Sequence, residues 1–135
     1  MKVFIDANLL VYLNTVTELA SRVMYEDFYL RLLTRYKAYT DALVLDELIY
    51  VSHKRYSVPY DVTLEFIESI VRPYVAILPI GEEEYDWAAR VIREHGLKPS
   101  DAIHVGVMRA NGIELIASED RDFEKVEGLK RVWLR

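Results

Sequence analysis

Cysteine is absent from the 135 residues, which excludes disulfides, thiolate zinc sites and a cysteine nucleophile. Glutamine is absent too, while Glu, Arg and Tyr are plentiful, a bias associated with thermostability. No apolar run approaches the ~18 residues that a membrane span needs. The chain opens straight into a strand-like stretch without the pattern of a secretory signal, so a cytoplasmic location is expected. An excess of positive charge is also missing: 17 Lys and Arg stand against 22 Asp and Glu, a formal net charge of −5. A protein that tracked nucleic acid by bulk electrostatics would be basic. Any phosphate-bearing substrate must therefore be met by a local device, a bound cation or a small basic patch.

With 52% apolar and 29% charged residues, the composition is that of a folded globular chain, and its length suits one domain over residues 1–135. "KVFI" (residues 2–5) is a short apolar run suited to a buried parallel strand. "TVTE" (residues 15–18) fits a capping box ahead of a helix over residues 19–36, with Val23, Met24, Phe28, Leu32 and Leu33 at helical spacing. "KAYT" is a second strand, after which Asp41 caps the helix "ALVLDELIYVSHKRY". Asp61 caps a further helix with an apolar stripe of Val62, Phe66, Ile67 and Ile70, ending before Pro73. "YVAILPI" is a third strand. "EEEYDWAARVIREHG" and "KPSDAIHVGVMRANG" are helices stopped by Gly96 and Gly112. "IELIAS" is a fourth strand, "EDRDF" a turn or short helix, and "RVWL" a fifth strand. Strands alternating with helices predict an α/β fold, a three-layer α/β/α sandwich on a mostly parallel sheet of about five strands.

The acids are placed unevenly on this plan. Asp6 follows the first strand, and Glu119, Asp120 and Asp122 follow the fourth. Glu47 lies on the helix after the second strand, and Asp101 opens the helix that feeds the fourth. In open parallel sheets ligands bind beyond the carboxyl ends of the strands, an edge that all of these can reach. Carboxylates crowded there would repel one another and raise their pKa values unless a divalent cation lay between them. Oxygen-only ligands suit Mg²⁺ or Mn²⁺, which also take substrate phosphate. Each acid has an ordinary reading as well. Asp6 fits a helix cap, Glu47 a solvated helix position, Asp101 a residue favoured by the helix dipole, and Asp120 or Asp122 a turn. Periodicity does not choose between Asp46 and Glu47.

"VFIDANLLVYL", "YTDALVLDELIYV", "PSDAIHVGVMRANG" and "LIASEDRDFEKVEGL" together resemble the four motifs of PIN domains, in order and across nearly the whole chain. The resemblance is closest to the small prokaryotic type, similar to the VapC toxins of toxin–antitoxin pairs. It implies a Mg²⁺- or Mn²⁺-dependent endoribonuclease in which Asp6, Glu47, Asp101 and Asp120 take the acidic metal positions, with Glu47 preferred over Asp46. It implies supporting roles for Asn8 and Ser118 and makes Asp122 an alternative ligand. Cleavage would leave a 5′-phosphate and a 3′-hydroxyl. It further implies an RNA substrate, a small antitoxin partner and a homodimer. A housekeeping RNA-processing nuclease and a non-catalytic binding module are the alternatives within the family.

Other residues invite weaker roles. His104, one turn after Asp101, fits a hydrogen-bonded packing position better than a site contact. Arg121 and Lys125 are candidates for phosphate contacts, and Tyr12, Tyr50 and Tyr85 for base stacking. Phosphatases of the haloacid-dehalogenase type also begin with a strand ending in Asp. They carry a second Asp two residues on, where this chain has Asn8, and no Lys precedes the later acidic pair in their manner.

Overall fold

The first apolar run forms β1 (Lys2–Ile5), buried along all but its first residue. In the computed structural model, which describes residues 1–134, it is joined by β2 (Lys37–Asp41), β3 (Val75–Leu78), β4 (Leu115–Ala117) and β5 (Lys130–Val132). The strand order is β3-β2-β1-β4-β5 and every pairing is parallel. A central parallel strand is covered on both faces, which is why Val3, Phe4 and Ile5 run without polar alternation.

Helices α1 (Ala7–Thr15) and α2 (Leu19–Arg35) connect β1 to β2. Helices α3 (Ala42–Tyr56) and α4 (Tyr60–Phe66), the latter prolonged by a π-helical turn (Ile67–Val71), connect β2 to β3. Helices α5 (Glu82–His95) and α6 (Pro99–Ala110) connect β3 to β4. The first two crossovers step one way along the sheet and the third steps back past β1. Right-handed crossovers therefore put α1–α4 on one face and α5–α6 on the other, giving a three-layer α/β/α sandwich. The reversal makes the junction of β1 and β4 a topological switch point, where chains leaving adjacent strands diverge and open a crevice at their carboxyl ends.

The α5–α6 layer depends on one missing side chain. A Cβ on Gly106 would collide with the backbone carbonyl oxygen of Glu84 and stand 3.3 Å from the backbone nitrogen of Ala88. Backbone cannot swing aside as a side-chain tip can. Gly106→Ala is expected to cost ~1–3 kcal/mol, read as a lower urea midpoint with an unchanged m-value. An unaltered midpoint would contradict this packing.

Several sequence expectations are corrected. Residues 7–15 form a separate helix, so Thr15 ends α1, donating to the carbonyl of Val11 at 2.7 Å, and does not open a capping box. Glu18 caps α2 instead, accepting from the backbone nitrogens of Ala20 and Ser21. Val23 and Met24 are exposed, and α2 buries Phe28, Tyr29 and Leu32. Pro59, not Asp61, occupies the cap position of α4. The buried stripe there is Thr63, Ile67 and Val71, while Val62 and Ile70 face solvent. A polar residue leads that stripe because Asn14 donates to both Thr63 Oγ1 (2.9 Å) and Ser52 Oγ (3.0 Å), a buried polar node joining α1, α3 and α4. The third and fourth strands are shorter than their apolar runs, and the fifth starts one residue early.

Candidate metal centre and the groove beside it

Asp6 leaves β1 at the switch point and is 5% exposed. Its position is held from both neighbouring strands. Its backbone nitrogen donates to the carbonyl of Ala117 at 3.1 Å, and Thr40 Oγ1 donates to the carbonyl of Ile5 at 2.9 Å. Asp6 also stands at the cap of α1: its Oδ1 accepts from the backbone nitrogen of Ala7 at 2.8 Å. Its Oδ2 accepts from Ser118 Oγ at 2.6 Å and from Asn8 Nδ2 at 3.4 Å. Capping and lining the crevice are thus one placement.

Ser118 is fully buried just past β4 and acts as a hub. Its Oγ also accepts from the backbone nitrogen of Asp120 at 3.1 Å and from Asn8 Nδ2 at 3.2 Å. Arg131 Nη1 donates to its carbonyl at 3.0 Å while Arg131 Nε pairs with Glu124. Asn8 Oδ1 accepts from the nitrogen of Glu119 at 3.3 Å. Asp120 Oδ1 caps the short 3₁₀ turn (Arg121–Lys125) through the nitrogen of Asp122 at 2.9 Å.

Asp101, in the first turn of α6, has a buried Oδ2 without a hydrogen-bond partner. Burial first, then the charges of Asp6 and Asp120, push its carboxyl up to about 6. Glu47 opens onto the surface from α3, yet partial desolvation and then the charge of Asp6 push its carboxyl upward as well. Asp6 acts on both Glu47 and Asp101, and Asp120 acts on Asp101, which links acids brought from β1, α3, α6 and the end of β4.

Behind the acids lies a buried pair that sequence reasoning did not find. His104 Nδ1 lies 2.8 Å from Asp41 Oδ2, and its Nε2 lies 4.0 Å from Asp6 Oδ1. Both partners are within 1% of full burial. Asp41 caps α3 through the nitrogen of Val44 at 2.9 Å and holds the imidazole with its other oxygen. Burial pulls the imidazole down, but the Asp41 hydrogen bond and charge, with Asp6 and Asp101, leave its pKa raised. Packing and proximity to the acids coexist in His104. The rule that pointed to Asp6, an acid at the carboxyl end of a central strand, applied equally to Asp41; a helix cap had already accounted for it.

The donor set fits a hard divalent cation. Every acid offers oxygen only, burial and then the charge of neighbouring acids raise Asp101 and Glu47, and one buried oxygen of Asp101 is unpartnered. Among the described residues, no three His, Asp or Glu side chains are drawn up as tightly as a closed metal shell. Like charges held apart in this way would be drawn together by a cation. The linkage has a definite sign. Asp101 is raised from 3.8 to about 6, so the native protein gains stability as pH falls through about 6 toward 3.8. The raised His104 acts in the same direction, its contribution being lost as pH rises through its folded value. Metal-free protein is accordingly expected to melt at a higher temperature at pH 5.5 than at pH 8. Mn²⁺ affinity should fall as pH drops through about 6, because the cation must displace the Asp101 proton. Calorimetry across that range, with flat affinity as the contrary result, checks this.

Arg121 is exposed, and Lys125 pairs with Asp122 at 3.3 Å, which offsets its charge. Besides His104, the charges of Lys98 and Arg55 reach the acids, and both ease the ionisation of Glu47. Arg55 shares a groove of about 480 Å³ with Asn8, Tyr12, Glu47, Tyr50 and Tyr56. Its spacing from Glu47, two helical turns, was the available signal. Tyr85 is 62% exposed on α5 and does not line this groove.

No curated protein matches the chain at the sequence level. Solved structures do. DNA-bound VapBC from Salmonella typhimurium is 16% identical with a TM-score of 0.75, over 100% of this chain and 99% of that one. VapBC2 from Rickettsia felis, bound to a DNA fragment from its promoter, is 16% identical with a TM-score of 0.74 over the whole of both chains. VapC20 from Mycobacterium tuberculosis, a toxin that cleaves the sarcin–ricin loop, is 17% identical with a TM-score of 0.72, over 90% of this chain and 92% of that one. These likenesses concern the fold. The family model of the PIN domain matches residues 3–129, and by that match, in agreement with the acids gathered at the switch point, the chain belongs to the PIN-domain family.

Proposed function

We propose that this protein is a divalent-metal-dependent endoribonuclease, of the kind that serves as the toxin in a toxin–antitoxin pair. The observation that carries the reading is the meeting at the switch point of a buried Asp6, whose charge acts on Glu47 and Asp101, with Asp120, whose charge acts on Asp101. Asp6, Glu47, Asp101 and Asp120 would hold Mg²⁺ or Mn²⁺, with Asp122 as an alternative ligand. Such a cation, when bound, would activate water and offset charge developing on the leaving 3′-oxygen. The chain's own residues do the rest. Ser118 and Asn8 hold one oxygen of Asp6 in a fixed direction, and Ala7 holds the other. His104 sets positive charge behind the acids, easing the ionisation of both Glu47 and Asp101. The phosphatase alternative needs an acid at position 8. Asn8 instead donates its amide to Asp6 and Ser118.

The neighbours in fold include toxin–antitoxin complexes, which supports a small antitoxin as partner; a homodimer is part of the same proposal. Purified protein should cleave single-stranded RNA with Mg²⁺ or Mn²⁺, lose that activity in EDTA, and leave 5′-phosphate ends. Inert RNA in every divalent metal would overturn the reading. Induced expression beside Asp6→Asn separates the two nuclease roles, since growth arrest by the native chain alone marks a toxin and unaffected growth marks RNA processing.

A further inference from the structure

We propose that the groove between α1 and α3 seats a single-stranded RNA segment next to the cleaved bond, with a base against Tyr50 and Tyr56 and a phosphate on Arg55. This inference rests on the ribonuclease reading and specifies which residues beside the acids hold the strand. The groove measures about 480 Å³, within the ~300–1,000 Å³ of small-ligand sites. Glu47, Val51 and Arg55 follow one another along α3 four residues apart and all line the groove, so it runs from the acids to the guanidinium with Tyr50 and Tyr56 beside that row. Arg55 is exposed, and its charge reaches Glu47 at the acidic end.

Two aromatic rings on this wall face solvent, Tyr50 at 54% and Tyr56 at 47% exposure. Tyr12 forms the opposite side and is fixed in advance. Its hydroxyl donates to Glu119 at 2.5 Å, and its ring stacks on Tyr25 with centroids 4.7 Å apart and planes at 20°. Trp133 lies 6.2 Å from the Tyr12 ring and 6.3 Å from that of Tyr25. A wall held this way loses little freedom when a ligand arrives.

The occupant follows from the chemistry. A guanidinium takes a phosphate oxygen, and exposed phenol rings take the face of a base. Bases are free to stack only where the strand is unpaired; a duplex buries their faces and shows shape and backbone. With a net charge of −5, the protein has no general attraction for a polyanion. A cation placed beside the acids therefore decides where the strand enters.

The test uses the full chain and a fluorescein-labelled single-stranded RNA dodecamer, with Asp6→Asn as the parent so that the probe stays intact. Anisotropy titrations should show Tyr50→Ala binding roughly tenfold more weakly and Tyr50→Phe binding like the parent, since stacking needs the ring and not the hydroxyl. Arg55→Gln should weaken binding and lower the slope of log affinity against log salt by about 0.7, the value for one phosphate on a single strand. A blunt duplex of the same sequence should bind more weakly than the single strand. Calorimetry on Tyr50→Ala in the otherwise native chain should give native Mn²⁺ affinity, which a merely misfolded variant would not. If Tyr50→Ala and Arg55→Gln match the parent, or if duplex binds as tightly, the inference is overturned while RNA cleavage by the native chain leaves the ribonuclease reading standing. If the variants lose binding but the native chain cleaves nothing, the groove assignment holds and the ribonuclease reading fails.

Discussion

Asp101→Asn is expected to lower metal-dependent RNA cleavage by at least ~100-fold, since even partners of metal ligands are worth ~10–100-fold, while leaving the metal-free fold no less stable at pH 7.5. The two halves come from one cause. Asp101 carries a buried oxygen without a partner, beside Asp6 and Asp120, and its carboxyl is pushed up to about 6. At pH 7.5 it is ionised against that pressure, so a neutral amide of the same shape relieves repulsion in the fold. The same substitution removes an oxygen donor and a negative charge that a cation would need. A general structural role would lower melting temperature and activity together. Melting curves with and without Mn²⁺ distinguish the cases: the native chain should be stabilised by the metal and the variant should not. Cleavage within tenfold of the native rate would remove Asp101 from the site.

The second large effect belongs to Asp41 and His104. Breaking a buried charged pair by deleting one member leaves the other without compensation, at ~3–5 kcal/mol. His104→Ala and Asp41→Ala should each fall in that range by chemical denaturation. Asp41→Ala should be the worse by ~1 kcal/mol, because Asp41 also caps α3 through Val44. Asp41→Asn keeps an oxygen for the cap and should recover that ~1 kcal/mol. Since His104 approaches Asp6 and sits on the helix that carries Asp101, Mn²⁺ affinity should drop as well, by ~10–100-fold for His104→Ala at pH 7.5. Stability that moves without any change in metal affinity would reduce the pair to packing alone.

Much of this architecture was legible in the chain. Alternating apolar runs and capped helices carried the parallel sheet, and the acids at strand ends pointed to the crevice. What escaped had physical reasons. The helix over residues 7–15 is short and buried on most sides, so it shows no clean period against the adjoining strand. The stripe of α4 misled because its first inward residue is Thr63, satisfied by Asn14 from another helix, a partner that local reading does not supply. The His104–Asp41 bond joins residues 63 apart and depends on the crossover that brings α6 to the carboxyl end of β2. Arg121 and Lys125 drew attention by lying beside the fourth motif in sequence. Arg55 reaches the acids along α3, two turns beyond Glu47, away from any of the four motifs' acids in sequence but that one.

The strand order has a consequence for the timing of synthesis. β1 is made first but is central, and one of its edges has no partner until β4 emerges. The hydrogen bond from Ser118 to Asp6 spans 112 residues of chain. A ribosome that has not passed residue 120 therefore displays no complete acidic centre, whatever metal surrounds it. The nuclease reading would make the growing chain harmless to the RNA it is being read from, and harmful only once its last acids are in place.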